Sequence, residues 1–307
     1  MHPAYSIIVF TTMSGLGYGL AGVLGLGLLD PEAVATKVAH ILALGLIAGG
    51  LLSSTLHLGN PQRAWRALSQ WRSSWLSREG VLAIATFVPL TVAAYISLVH
   101  GRYVPVVGLV GALGAAATVY STSMIYASLR SVQAWNTKLT PACYLLLSGA
   151  GGCLLGALFG HLGGQGAALL LALALAFLGA AWTAKLSWRN RAMTVAPLST
   201  PESATGLGGL GMVRLFERPH INDNYLTREM GYRVARKHAA KLFVIAWVLG
   251  GAVPAALVIL ALLMGAQGTV ATLAAAIAVL SHLVGVLVER WLFFAEAKHA
   301  VMNYYQQ

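Results

Sequence analysis

Eight long apolar segments constrain the fold of this 307-residue chain more than any other feature of its sequence. The hydrocarbon core of a membrane offers no water to backbone polar groups, so about twenty consecutive apolar residues there must form a helix. The sequence therefore predicts an all-α polytopic membrane protein, built as a bundle of eight transmembrane helices. The predicted spans are Tyr5 to Leu29, Thr36 to Leu58, Gly80 to Val99, Val104 to Tyr126, Pro141 to Gly160, Gln165 to Leu186, Leu242 to Met264 and Thr269 to Leu292.

The composition agrees with this class. Hydrophobic residues make up 58% of the chain and charged residues 9%, whereas soluble domains carry about 25% charged residues. No positive region precedes the first span, so we expect that span to be retained and not removed as a signal peptide. We expect one domain, 1–307, whose largest connection is an extended basic loop at 187–241.

Basic residues are distributed unequally between the two sides of the predicted bundle. Of the 20 Lys and Arg residues, 18 fall on the side that holds both termini and the connections after spans two, four and six, and only Lys37 and Arg102 lie opposite. The positive-inside rule then predicts that both termini and these three connections are cytoplasmic. The net charge of +11 is therefore mainly a topology signal, and we expect no nucleic-acid partner. Part of the charge could also bind anionic lipid headgroups.

Ionisable side chains are sparse within the predicted spans. Lys37, Glu79, Lys185, Glu289 and Arg290 all fall near span ends. Proton pumps and ion-coupled transporters use ionisable groups buried within the membrane. The sequence therefore disfavours both classes.

Two cysteines and two histidines lie inside predicted spans. Cys143 and Cys153 are ten residues apart in the fifth span, without a CxxC motif or a Cys/His cluster. We predict that they are packing residues and that the chain holds no disulfide or metal site. His40 and His282 are the candidates for haem ligands, but their predicted depths differ. We interpret them as core or pocket residues and expect no haem.

The connection after the second span is rich in Arg and Trp and begins with His57. The imidazole could bond a quinone carbonyl and exchange a proton near physiological pH, with Trp65 as an apolar wall and Arg63 and Arg66 as an electropositive field. Trp and Arg are also ordinary interfacial anchors, so the alternative is that this segment only fixes helix ends at the membrane surface. Glu79 could relay the proton, or it could be a first-turn carboxylate favoured by the helix dipole.

Three motifs resemble the dimethyl sulfoxide reductase anchor subunit family. The stretches "HLGNPQRAWRAL" and "SWLSREG" are similar to the family's His-Leu-Gly-x-Pro-x-Arg-Ala and the Leu-Ser-x-Glu that follows it. "AWNTKLTP" is similar to its Trp and Thr-Pro at the fifth span, and "ERWLFF" to the Arg and aromatic pair of its last span. The resemblance covers the whole chain in span number and order. The matching residues are His57, Leu58, Gly59, Pro61, Arg63, Ala64, Leu76, Ser77, Glu79, Trp135, Thr140, Pro141, Arg290, Phe293 and Phe294.

The resemblance implies an anchor in the bacterial inner membrane that holds an iron–sulfur subunit and a molybdopterin catalytic subunit. Such an anchor exchanges electrons with a quinone, either menaquinone or ubiquinone, and the family's quinol-site histidine corresponds to His57. We expect no catalytic residue, haem or metal in this chain. The expected quinone-binding residues are His57, Arg63, Trp65, Arg66 and Glu79, and the expected partner-docking residues are Arg72, Arg78, Arg130, Trp135 and Arg233.

The charge asymmetry bears on which complex the anchor serves. The best-known reductases of the family place their catalytic subunits outside the cytoplasmic membrane, whereas the His57 side of this chain is expected to face the cytoplasm. The chain therefore looks more like the anchors of cytoplasm-facing complexes, including sulfite-oxidising quinone reductases, and S-oxide reduction stays open. The alternative class is a small-molecule transporter or a structural membrane protein without a redox role. Its support is the glycine-rich "GLGYGLAGVLGLG", which close helix packing explains more simply.

Overall fold

The computed structural model describes residues 3–56, 58–214, 216–217 and 234–304. Within these residues the chain forms helices and no strands, and eight helices are long and apolar enough to cross a membrane. The predicted all-α architecture is confirmed. The helices are α1 (Tyr5–Gly25), α2 (Val34–Thr55), α3 (Trp75–His100), α4 (Pro105–Ala127), α5 (Leu139–Leu162), α6 (Ala168–Thr194), α7 (Val234–Trp247, a π-helical turn at Val248–Ala252, then Val253–Leu263) and α8 (Gly268–Ala295).

Several helices extend further than their hydropathy predicted on the side where α1 begins and α8 ends, called the terminal side below. Helix α3 begins at Trp75 instead of Gly80, α6 ends at Thr194 instead of Leu186, and α8 ends at Ala295 instead of Leu292. The turns added to α3 and α6 contain charged residues, which lower the hydropathy of a sequence window. Glu79 in the added turn of α3 meets a neighbouring helix, where the hydroxyl of Thr122 in α4 donates to it.

Helices α1 and α5 form the centre of the bundle and touch through their backbones. Most residues of both helices are buried. A methyl group added at Gly19 would lie 2.0 Å from the carbonyl oxygen of Ser148, and one added at Gly152 would lie 2.2 Å from the carbonyl carbon of Gly19. Since no side chain fits at either position, the glycine-rich stretch of α1 serves close helix packing.

The basic loop at 187–241 is partly helical. Its first residues continue α6 to Thr194, and Pro201–Thr205 forms a short helix that the hydroxyl of Thr200 caps. A helix with basic residues in its first turns begins at Val234 and leads into the seventh span. The stretch 218–233 lies outside the described residues.

Candidate functional site

The connection between α2 and α3, residues 58–74, presents basic and indole side chains outward and is called the hairpin below. Arg63, Arg66 and Arg72 are exposed, and Trp65 and Trp71 are 67% and 49% exposed. The guanidinium of Arg72 lies 4.7 Å from the centre of the Trp71 ring. An exposed surface of this kind can contact a lipid headgroup, a partner protein or a quinone ring.

Two predicted site residues, His57 and Arg233, lie outside the described residues. Arg130 is exposed on the connection between α4 and α5. It lies on the terminal side, as the hairpin does, so the expected docking residues Arg72 and Arg130 belong to one side of the bundle.

The hairpin is fastened to the start of α3 by hydrogen bonds. The hydroxyl of Ser77 donates to the carbonyl of Ala67. Arg78 donates from Nε to the carbonyl of Trp71 at 3.0 Å and from Nη2 to that of Arg72 at 2.8 Å. Its guanidinium also lies 4.3 Å from the centre of the Trp75 ring. The side chain expected to dock a partner thus also holds the hairpin in place.

Glu79 lies inside the bundle, just beyond the hairpin. It is 5% exposed, and the hydroxyl of Thr122 in α4 donates to its Oε1. Because α3 begins at Trp75, Glu79 occupies the second helical turn. The interpretation of Glu79 as a first-turn carboxylate favoured by the helix dipole is therefore wrong. The carboxyl is buried in the second turn, and it accepts a hydrogen bond from the side chain of a neighbouring helix.

A second polar cluster was missed at the sequence level and joins Lys185 of α6 with Glu289 and Arg290 of α8; it is called the ion triad below. All three side chains are buried. The amine of Lys185 contacts Glu289 Oε1, and Arg290 Nε lies 3.4 Å from Glu289 Oε2. The guanidinium of Arg290 also lies 3.7 Å from the centre of the Tyr144 ring. Buried ions require this pairing because leaving water costs several kcal/mol per charge.

One signal in the sequence could have indicated this cluster. The three charged residues interrupt otherwise apolar helices at similar distances from the terminal side. Charges within spans tend to pair with one another. We expected these three residues to lie near span ends and did not predict that they pair with one another.

The motif residue Trp135 is a core residue, which corrects the expectation that it docks a partner. It is buried, its ring stacks on Phe293 with centres 5.3 Å apart, and its Nε1 donates to the carbonyl of Phe293 at 2.9 Å. The hydroxyl of Thr140 donates to the carbonyl of Trp135 at 2.8 Å. The motifs "AWNTKLTP" and "ERWLFF" therefore meet in one aromatic cluster, where they fasten α8 to the start of α5.

A cavity of about 550 Å³ opens on the terminal side beside the end of α6. It is lined in part by Trp188, Arg189, Glu296 and Lys298, and none of the predicted site residues that the structure describes lines it. Arg189 lies 3.7 Å from Glu296. Burial raises the pKa of the Glu296 carboxyl, and the nearby guanidinium opposes that rise.

Residues 1–295 match the model of the DMSO reductase anchor subunit (DmsC) family. The chain belongs to this anchor subunit family. It is also 32% identical to a sulfite dehydrogenase subunit of Allochromatium vinosum, an alignment that covers 100% of this chain and 99% of that relative. No solved structure matches the chain.

The family membership assigns a coarse role. An anchor subunit is a multi-pass membrane protein that associates with the catalytic subunits of an oxidoreductase complex and is not itself catalytic. In the described part of this anchor, no three His, Cys, Asp or Glu side chains come together in a group that could hold a metal ion. Cys143 and Cys153 are buried free thiols, so their predicted packing role is confirmed.

Proposed function

We propose that this anchor subunit transfers electrons between a docked iron–sulfur subunit and a quinone, in a complex whose molybdopterin subunit oxidises sulfite. Electrons would pass from sulfite through the molybdenum centre and the iron–sulfur clusters to menaquinone or ubiquinone. The proposal is supported by the anchor family and by the full-length similarity to a subunit of a sulfite dehydrogenase. This chain would bind no haem or metal.

We place the quinone where α2 ends and α3 begins, with His57, Arg63, Trp65, Arg66 and Glu79 around it. The observation that carries this placement is the burial of Glu79 at the end of a basic, indole-rich hairpin. Quinone reduction consumes protons, and a buried carboxyl beside the ring can supply or accept one. His57 would bond a quinone carbonyl, and Trp65 would offer its apolar face.

We place the docking surface for the iron–sulfur subunit on the terminal side, with Arg72, Arg78, Arg130 and Arg233 as contributing residues. Exposed arginines such as Arg72 and Arg130 guide and hold an acidic partner, and the association weakens with salt. The charge asymmetry supports a cytoplasmic location for this side in a bacterial inner membrane. Anionic lipid binding is the alternative use of the same charge.

Purification from native membranes in mild detergent tests the proposal. The anchor should co-purify with an iron–sulfur subunit and a molybdenum-containing subunit, and the complex should reduce a quinone analogue when sulfite is added. A protein isolated intact without a large soluble subunit would instead favour a transporter or a structural role. A complex that reduces S-oxides and does not oxidise sulfite would overturn the choice of substrate and leave the anchor role in place.

A further inference from the structure

A small cavity lies where α1, α4, α5 and α8 meet. Polar side chains from all four helices line its wall: Thr11, Thr12 and Ser14 from α1, Thr122 from α4, Tyr144 and Ser148 from α5, and Arg290 from α8. Thr122 belongs to the pair with Glu79, and Arg290 belongs to the ion triad, so the cavity lies between the two polar clusters. Its volume is about 20 Å³, while about 10–15 Å³ is enough for one water molecule.

Three polar atoms of the cavity wall make no well-directed hydrogen bond to any residue that the structure describes. They are Thr12 Oγ1, Tyr144 Oη and Arg290 Nη1, and all three are buried. Buried groups of these types are nearly always bonded to protein or to ordered water. Since the three side chains come from three helices and line one cavity, one small polar molecule there can satisfy all of them.

We propose that this cavity binds one ordered water, which joins the Glu79–Thr122 pair to the ion triad. The water accepts a hydrogen bond from Arg290 Nη1 and a second from the hydroxyl of Tyr144 or Thr12. It donates to the remaining hydroxyl and to Thr122 Oγ1, whose own proton is donated to Glu79. A buried water of this kind typically makes about three hydrogen bonds.

The water completes a continuous polar line from α3 to α6. The line runs from Glu79 through Thr122 and the water to Arg290, and then through Glu289 to Lys185. Any part that this line plays in proton exchange rests on the proposed function, in which Glu79 exchanges protons with the quinone. The binding of the water itself requires neither quinone nor a partner subunit.

Two conservative variants test whether the cavity is hydrated. Thr12→Val and Tyr144→Phe each remove one hydroxyl and keep the shape of the side chain. If the water is bound, each variant should lower the Tm of the full-length chain in detergent by about 2–4 °C, because the water loses a partner. A dry cavity predicts the opposite, because each variant then removes an unsatisfied buried polar atom. An unchanged or raised Tm in both variants overturns the proposal.

Thr11→Val is the matched control. Thr11 is also buried on α1 and lines the same cavity, but its hydroxyl already donates to the carbonyl of Ile7 at 2.9 Å and so does not depend on the water. The control should change the Tm less than Thr12→Val does. An equal fall in the Tm of both variants would mean that valine in α1, and not the loss of the water, destabilises the protein. That result would overturn the water site.

A cryo-EM map of the intact complex, at a resolution that shows ordered water, gives the direct readout. We expect density within hydrogen-bond distance of Thr12 Oγ1, Tyr144 Oη and Arg290 Nη1, and its loss in Thr12→Val. A clean map without that density overturns the site. Density together with normal quinone-linked turnover in Glu79→Gln would keep the water and overturn the proposed role of Glu79, so the two failures are distinguishable.

Discussion

The Nδ1 atom of His282 lies 2.8 Å from the carbonyl oxygen of Gly250. That carbonyl lies four residues before Pro254, which has no N–H to offer it. The hydroxyl of Ser281 donates to the preceding carbonyl, that of Leu249, at 2.7 Å. Two side chains of α8 thus bond the carbonyls of the π-helical turn in α7. The opposite ring nitrogen of His282 faces Gly151, so the interpretation of this histidine as a core residue is supported.

His282→Leu should destabilise the bundle. It leaves the Gly250 carbonyl without its donor, which costs about 1–3 kcal/mol for a buried acceptor. Thermal unfolding in detergent should show a lower Tm. His282→Gln keeps a side-chain donor and serves as the control, with a smaller loss expected. A His282→Leu protein as stable as the wild type would remove the structural role of this contact.

Glu289→Gln should destabilise the protein more than Lys185→Met. The glutamine removes the carboxylate that both Lys185 and Arg290 contact, and an unpaired buried charge costs about 3–5 kcal/mol. After Lys185→Met, Glu289 still pairs with Arg290. The measurement is the Tm of each variant in the same detergent. Equal losses, or a larger loss for Lys185→Met, would show that Glu289 is not the shared partner.

His57→Leu should abolish quinone-linked turnover, with a loss of about 100-fold or more if the imidazole handles the proton. Activity of the catalytic subunit with an artificial dye, and assembly of the complex, should be unchanged. Glu79→Gln should show the same separation of the two activities. Normal quinone-linked rates in His57→Leu would rule out its role.

Alkaline phosphatase fused after Gln307 should be inactive, because the enzyme folds only outside the cytoplasm and the positive-inside rule places this end inside. A fusion after Arg102, on the opposite side, should be active and serves as the control. The reverse pattern would overturn the orientation and with it the preference for a cytoplasmic, sulfite-type complex.

Crosslinkers placed at Arg66, Arg72 and Arg233 should capture one specific soluble subunit. A crosslinker at Arg102, the basic residue of the connection between α3 and α4, should not capture it. Raising the salt concentration should reduce capture, because the attraction between exposed charges is screened. Crosslinks confined to lipid, in a sample that contains an active complex, would reduce the basic surface to a topology signal.

The amino-acid sequence by itself determined the number and order of the helices and the uneven placement of basic residues. Each of these is a local property, because a span of about twenty apolar residues is helical in a membrane whatever its neighbours are. The helix ends were less certain, and charged turns such as the one that contains Glu79 were assigned to connections.

Only the tertiary structure decided which side chains meet. Glu79 and Thr122 are 43 residues apart, and Trp135 and Phe293 are 158 apart. A span facing lipid on one side and protein on the other is apolar all round, so its sequence carries little periodicity to show which face turns inward. The ion triad, the aromatic cluster and the small cavity between Glu79 and Arg290 depend on those faces, and the packing of eight helices fixes them.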